Sequence, residues 1–427
     1  MLSAPIRHIL PHRRGRGVGG AGAECCPPGE VATVPSREGT LSIDEAATGC
    51  TDLLLRWRRH LHANPELSGE ETATAAYIAT ELRACGLEPR RVLPNAVIAD
   101  VGGTADGPRI ALRADIDALP IQEETGLPFA SRRPGAMHAC GHDGHTAILL
   151  GVARVLAALG TRGPHVRLIF QPAEEVPPGG AEPLLQAGVL DGVRAIAGLH
   201  LWSPLRSGCA LAVPGPAWAA ADRFRAVIRG RAGHGALPHT AIDALEAACH
   251  GVVGLQSIVA RRTDPLQPVV VSVGSLHAGQ AFNIIAGEAV LEGTVRTFEE
   301  DVRQDVRRQV ADVLGHAAAA AGAELELEYL EGYPPLVNDP VATEVVAAAA
   351  AARLGAAAVS AGPRLMVSDD FARYLQRVPG CYLVLGAGGT APGAPHHHPR
   401  FDIDEAVLPA GVAILADAAA RLAEAFA

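Results

Sequence analysis

From Thr51 onward, β-branched and apolar runs alternate with amphipathic helical segments, an alternation that leaves the chain few possible architectures. TDLLLRWRRHLHANPEL and ETATAAYIATELRACG have helical apolar spacing, the first stopping before Pro65 and the second at Gly86. There follow the strands NAVIADV and RIALRAD, the helix TAILLGVARVLAALG, the strand HVRLIFQ, the helix AEPLLQAG and the strand AIAGLH. Such an order predicts a mostly parallel sheet with helices on both faces. Between about 217 and 331 the order becomes strand, helix, strand, strand, helix, strand, from DRFRAVIRG to AELELEYLEG. That is the split unit of ferredoxin-like domains. After Pro334 the alternation resumes and ends on the helix LPAGVAILADAAARLAEAF. The predicted fold class is α/β: a discontinuous αβα domain over 46–216 and 332–427, with an inserted ferredoxin-like α+β domain over 217–331.

Residues 1–45 differ from the rest, being rich in Gly, Pro and Arg, with no period and no apolar core of a secretory signal. They are expected to form a disordered extension, in which Cys25 and Cys26 have no preorganised shell to make a metal or redox site.

Composition narrows the chemistry. All 36 basic residues are arginine, which excludes a lysine Schiff base, a pyridoxal-phosphate anchor and a phosphate-loop lysine. The 17 histidines, against 8 Phe, 5 Tyr and 3 Trp, direct attention to metal or acid–base sites. A net charge of -10 argues against a nucleic-acid partner, which needs clustered positive charge. Eight scattered cysteines in 427 residues are not a disulfide framework, so the expected compartment is the cytoplasm. No apolar run reaches the roughly 18 residues of a membrane-spanning helix, and no membrane partner is expected.

The chemistry gathers where the predicted strands end. RIALRAD delivers Asp115 and Asp117, HVRLIFQPAEE delivers Glu174 and Glu175, and AIAGLH delivers His200. In open α/β sheets that edge is where ligands bind. MHACGHDGH packs Cys140, His142, Asp143 and His145 into six positions, with Gly141 and Gly144 letting a loop turn tightly, and PHHHPRFDIDE supplies a second histidine cluster. Each piece has an ordinary structural reading: a buried cysteine, a solvated glutamate pair, a core histidine, a low-complexity run. Together they favour a metal hydrolase. Neighbouring Glu174 and Glu175 point in different directions, so one can ligate metal while the other acts as a base toward an activated water.

RRHLHANPELSGEE, ALRADIDALP, MHACGHDGHTAILLG, FQPAEE, GLH, GHGALPH, GTVRTF and HHPRFD, in this order, resemble the aminoacylase/carboxypeptidase family of di-metal peptidases. The Cys-Gly-His-Asp loop is similar to its amidohydrolase branch, which includes hippurate hydrolase, N-acyl-amino-acid amidohydrolases and auxin-conjugate hydrolases. The resemblance runs from about Arg58 to the C-terminus. It implies that Cys140, His142, Glu175, His200 and His397 hold two divalent metals, zinc or manganese with cobalt or nickel as alternatives, and that His396 is the alternative last ligand. It further implies Glu174 as general base, Asp115 as support for the ligands, His234 as a partner of the developing oxyanion, and Asn283 and Arg296 as holders of a substrate carboxylate. On the residues alone, His234, Asn283 and Arg296 read as a strand-end turn, a hairpin turn and a solvated strand face.

The implied activity is hydrolysis of the amide bond of N-acyl amino acids or similar small conjugates. A dipeptidase or carboxypeptidase of the same family is the alternative within enzymes, and an inactive metal- or ligand-binding protein the alternative outside them. The implied assembly is a homodimer through the inserted lid domain, with a homotetramer as its alternative. Two departures stand out: Ala286 replaces a proline in NIIAG, and Asp369 in SDDF replaces a longer glutamate.

Overall fold

A computed structural model describes residues 42–103, 109–160, 163–390 and 393–427. Most of the extension expected over 1–45 lies outside the described residues. Its last positions do not: Ser42 caps a helix over Ile43–Thr48 in a reciprocal capping box with Glu45, and Ala47 of that helix is buried in the core. The ordered domain therefore begins earlier than the glycine-rich composition suggests, because two hydrogen bonds and one apolar contact suffice to fix the turn.

The central sheet has eight strands in the order Arg90–Leu93, Ala96–Val101, His165–Gln171, Arg109–Asp115, Val193–Trp202, Gly380–Gly386, Ala210–Leu211 and Val359–Ser360. Its centre is parallel: Asp115 lies beside Gln171, Arg113 beside Gly198, and Val384 beside His200. Strand Ala96–Val101, read from sequence as one more member of the alternation, instead runs antiparallel to His165–Gln171, continuing from a hairpin with Arg90–Leu93. The interior strands are buried on both faces. Val97, Ala99, Ile110 and Leu112 enter one core with the helices Thr51–Ala63, Thr72–Ala84, His142–Leu159 and Leu408–Ala425, while Ala96, Ile98, Ala111 and Ile169 enter a second with Trp218, Phe371 and Tyr382. Alternate residues thus serve opposite cores, which is why these strands read as unbroken apolar runs.

A second, four-stranded antiparallel sheet has the order Val269–Ala278, Glu288–Thr297, Ala220–Arg229, Glu324–Tyr333. Helices Ala244–Ser257 and Glu300–Ala320 cover one face around Phe224, Ala226, Leu291 and Val310. Both cuts drawn from sequence, after 216 and after 331, fall inside strands: Gly215–Trp218 pairs with Leu336–Asn338, and Glu324–Tyr333 belongs wholly to the second sheet. The crossing segments pair with one another, a contact that composition does not reveal.

One stretch, Glu405–Ala425, has the length and hydropathy of a membrane span, but most of its apolar part is buried inside the fold. Leu408, Val412, Leu415 and Leu422 are part of the main core, so it reads as a core helix.

Candidate metal centre

The helix that carries the Cys-Gly-His-Asp motif starts at His142, four residues before the start read from its apolar pattern. Gly141 makes this possible by taking the left-handed conformation, φ 93°, at the N-cap. Gly144 is then helical rather than part of a loop, and serves packing: a Cβ there would stand 2.5 Å from Leu201 Cδ1 and 2.8 Å from Ile403 Cδ1. The first turn is consequently pressed against the end of strand Val193–Trp202. This brings Cys140 Sγ to 3.6 Å from His200 Nε2.

Strand ends supply the rest. Asp117 accepts from Ser68 Oγ at 2.7 Å and from the Glu175 backbone N–H at 3.0 Å, and lies 3.2 Å from His142 Nδ1, whose ring is thereby turned with Nε2 inward. Glu175 Oε1 lies 3.8 Å from His142 Nε2 and 3.2 Å from His397 Nε2. His397 has φ 62°, and its backbone N–H donates to the Ala139 carbonyl at 2.8 Å, tying the histidine triplet to the cysteine loop. Donor atoms of Cys140, Glu175 and His397 lie within 4.8 Å of one another, as do those of Cys140, His200 and His396 and those of His142, Glu174 and Glu175. His396 stacks on Trp202 with ring centroids 4.3 Å apart, and its Nε2 sits 3.0 Å from the Leu201 carbonyl. His398 is half-buried and accepts from the Arg400 N–H.

Two observations fit this donor set to metal. Among the described residues, the buried His142 Nε2 has no hydrogen-bond partner, and the buried Glu175 Oε1 has none beyond its 3.2 Å ion-pair contact with His397 Nε2. Such atoms are costly unless a cation or proton meets them. The electrostatics agree in sign: burial works against a charge on His142, yet Asp115, Asp117 and Glu175 raise it to about 10. A place that draws a proton so strongly draws a cation too. Soft thiol, imidazole and carboxylate together suit a borderline divalent ion.

Asp115 is fully buried and stands behind the ligands. It accepts from Arg113 Nη1 at 2.6 Å and lies 2.6 Å from His145 Nδ1, while His145 Nε2 accepts from the Leu201 N–H at 2.9 Å. Although burial opposes its charge, His142, His145 and Arg113 hold its carboxyl well below the usual range. Glu174 is the opposite case. Burial first, then the carboxyls of Asp369, Glu175 and Asp370, push it well above the usual range. Its backbone carbonyl accepts from Tyr333 Oη at 2.5 Å.

Asp369, shorter than the glutamate expected at its position, still reaches this group, because Arg113 Nη2 draws in Asp369 at 3.2 Å and Asp370 at 2.8 Å. Arg113, Asp117, His145 and Asp370 are positioning residues to which sequence reasoning assigned no role. Asp117 and His145 lie within the motifs, but their hydrogen bonds are set by folding.

These groups open into a cavity of about 960 Å³ between the two sheets, which Arg296 also lines. His234 and Asn283 are placed differently. They lie together on an exposed two-stranded ribbon, with His234 paired to Ile284 and the Asn283 carbonyl accepting from Gly235, and neither lines the cavity within one chain.

An α/β sheet that gathers thiol, imidazole and carboxylate donors at its strand ends, beneath a second α+β unit, defines a metallohydrolase architecture. The chain belongs to the peptidase family M20/M25/M40, whose model matches residues 111–421. It is 48% identical over 299 residues to an N-acyl-L-amino acid amidohydrolase of Geobacillus stearothermophilus, covering 69% of this chain and 80% of that protein. It is 42% identical over 373 residues to an N-acetyl-L-cysteine deacetylase of Bacillus subtilis, covering 86% and 88%. Among solved structures, the Bacillus subtilis YXEP protein, described as a dinuclear metal binding peptidase from the M20 family, is similar with a TM-score of 0.77 at 39% identity, covering 88% of this chain and 99% of that one.

Proposed function

We propose that the protein is a metal-dependent amidohydrolase that cleaves the amide bond of N-acyl amino acids or similar small amino-acid conjugates. The observation that carries this reading is the pair Glu174 and Glu175: one carboxylate turned to the donor set, its neighbour buried with raised proton affinity. Cys140, His142, Glu175, His200 and His397 would hold two divalent metals, zinc or manganese before cobalt or nickel. When bound, the metals supply Lewis acidity toward the amide carbonyl and acidify water.

Glu174 takes one proton from water as its oxygen bonds to the carbonyl carbon, and returns that proton to the nitrogen as the C–N bond breaks, leaving a carboxylic acid and a free amine. Asp115 holds His145, and Asp117 holds His142, so that neither ring turns away. Arg296, partly dehydrated at the cavity wall, binds the substrate carboxylate.

His234 and Asn283 enter the site from the partner subunit of a homodimer formed through the inserted unit, with a homotetramer as the alternative. Their exposure at the edge of that unit supports this reading. None of the six described cysteines is in a disulfide, which supports a reducing cytoplasm. A panel of N-acetyl and N-benzoyl amino acids and free dipeptides, assayed after reconstitution with each metal, tests the reading. Turnover of dipeptides alone would replace it with a peptidase, and binding without turnover would replace it with a binding protein.

A further inference from the structure

The open face of the inserted sheet carries a ladder of charge that ends abruptly at the cavity. Strand Ala220–Arg229 sets Arg225 opposite Glu292 and Arg229 opposite Glu288. The acids answer the arginines: Arg225 Nε lies 3.9 Å from Glu292 Oε1, Arg229 pairs with Glu288, and Arg229 Nη2 lies 3.2 Å from Glu326 Oε2. One step nearer the cavity the pattern breaks. Arg223 faces Thr294 on one neighbouring strand and Leu330 on the other, and neither side chain carries charge. Arg296, two residues beyond Thr294, faces Ala221.

Both residues line the cavity, and among the described residues no carboxylate pairs with either. The nearby acids are taken, Asp222 by Arg303 at 2.6 Å and Glu331 by Arg307. Arg296 is fixed by the Val295 carbonyl at 3.1 Å and by the Thr294 hydroxyl. Arg223 and Arg296 project from the same sheet face as diagonal neighbours, about 7–8 Å apart at the backbone.

We infer that Arg223 is a second anion-binding position, and that the preferred substrates are N-acyl amino acids with an acidic side chain, Arg296 taking the α-carboxylate and Arg223 the side-chain carboxylate. The inference rests on the proposed amidohydrolase reading. Adjacent guanidiniums on one sheet end meet the substrate on one side of the scissile bond, which is the amino-acid side; a carboxylate in the acyl group would lie across that bond. Two adjacent guanidiniums that, among the described residues, no carboxylate pairs are both matched at once by a dianion. A substrate with one carboxylate leaves one of them unmatched.

N-acetylglutamate and N-acetylglutamine, nearly equal in size, separate charge from fit. The holoenzyme should prefer the glutamate compound in kcat/KM by about tenfold or more, chiefly through KM, and Arg223→Gln should lower that ratio about 10- to 100-fold. Arg223→Lys should retain most of the preference, a rescue that a purely structural role would not give. Melting temperatures for each variant confirm that the exposed site tolerates the change. Turnover of N-acetylglutamine and N-acetylleucine with no preference for N-acetylglutamate, or a ratio unmoved by Arg223→Gln, overturns the anion position while the amidohydrolase reading stands. Failure to hydrolyse any of the three with metal bound overturns that reading and this inference with it.

Discussion

The Nε2 atom of His142 and the Oε1 atom of Glu175 lie 3.8 Å apart, both buried; among the described residues the first has no hydrogen-bond partner and the second has none beyond its ion-pair contact with His397 Nε2. The separation is too long for a hydrogen bond and suits two ligands of one ion. Cys140 faces the same space, so Cys140→Ala should lose at least one of two metal equivalents by elemental analysis of the purified protein. Unchanged stoichiometry would remove the thiol from the ligand set.

Glu174 has a different task from its neighbour. Glu174→Gln keeps size and hydrogen bonding but cannot carry a proton, so kcat should fall by about 10²–10⁴-fold while metal content persists. Retained turnover would sink the base assignment.

Arg113 is fully buried and satisfies Asp115, Asp369, Asp370 and the side chain of Gln171. Arg113→Met would strand buried carboxylates, at a cost of about 3–5 kcal/mol. Urea unfolding measures it, and a loss below about 1 kcal/mol, the range of an exposed ion pair, would contradict the network.

His62 reports on folding through pH. Burial alone would depress it, but hydrogen bonds to Asp143 at 2.8 Å and Glu123 at 3.2 Å raise it to about 9. Its folded value lies above its unfolded value near 6.5, so its contribution is complete below pH 6.5 and disappears as pH rises through 9. The full contribution is about 3 kcal/mol. Melting temperature should therefore fall between pH 7 and 10, and His62→Gln should flatten that slope; equal slopes would refute the assignment.

If His234 crosses a dimer interface, two inactive variants should rescue one another. Mixed dimers of His234→Ala and Glu174→Gln chains contain one site with both residues intact. Random pairing should restore about one quarter of wild-type activity for a two-fold dimer. No recovery despite demonstrated subunit exchange would confine His234 to its own chain.

Much of this was legible in the sequence. The alternation of strand and helix, the inserted split unit, and the strand-end placement of Asp115, Glu174, Glu175 and His200 follow from local patterns whose periods of 2 and 3.6 are properties of the backbone itself. The donor types were legible for the same reason, since Cys140, His142 and the histidine triplet crowd into short motifs.

What the sequence could not decide were relationships between distant segments. That position 144 has no room for a side chain depends on Leu201 and Ile403, which a Cβ there would strike. That Asp369 reaches the buried acids despite its short side chain depends on Arg113, 256 residues away. That His234 and Asn283 stand off the cavity while Arg223 joins it depends on how one sheet overhangs another. Local spacing determines which residues share a face of one element; only the packed tertiary structure determines which face meets which, and thus which charges remain unmatched.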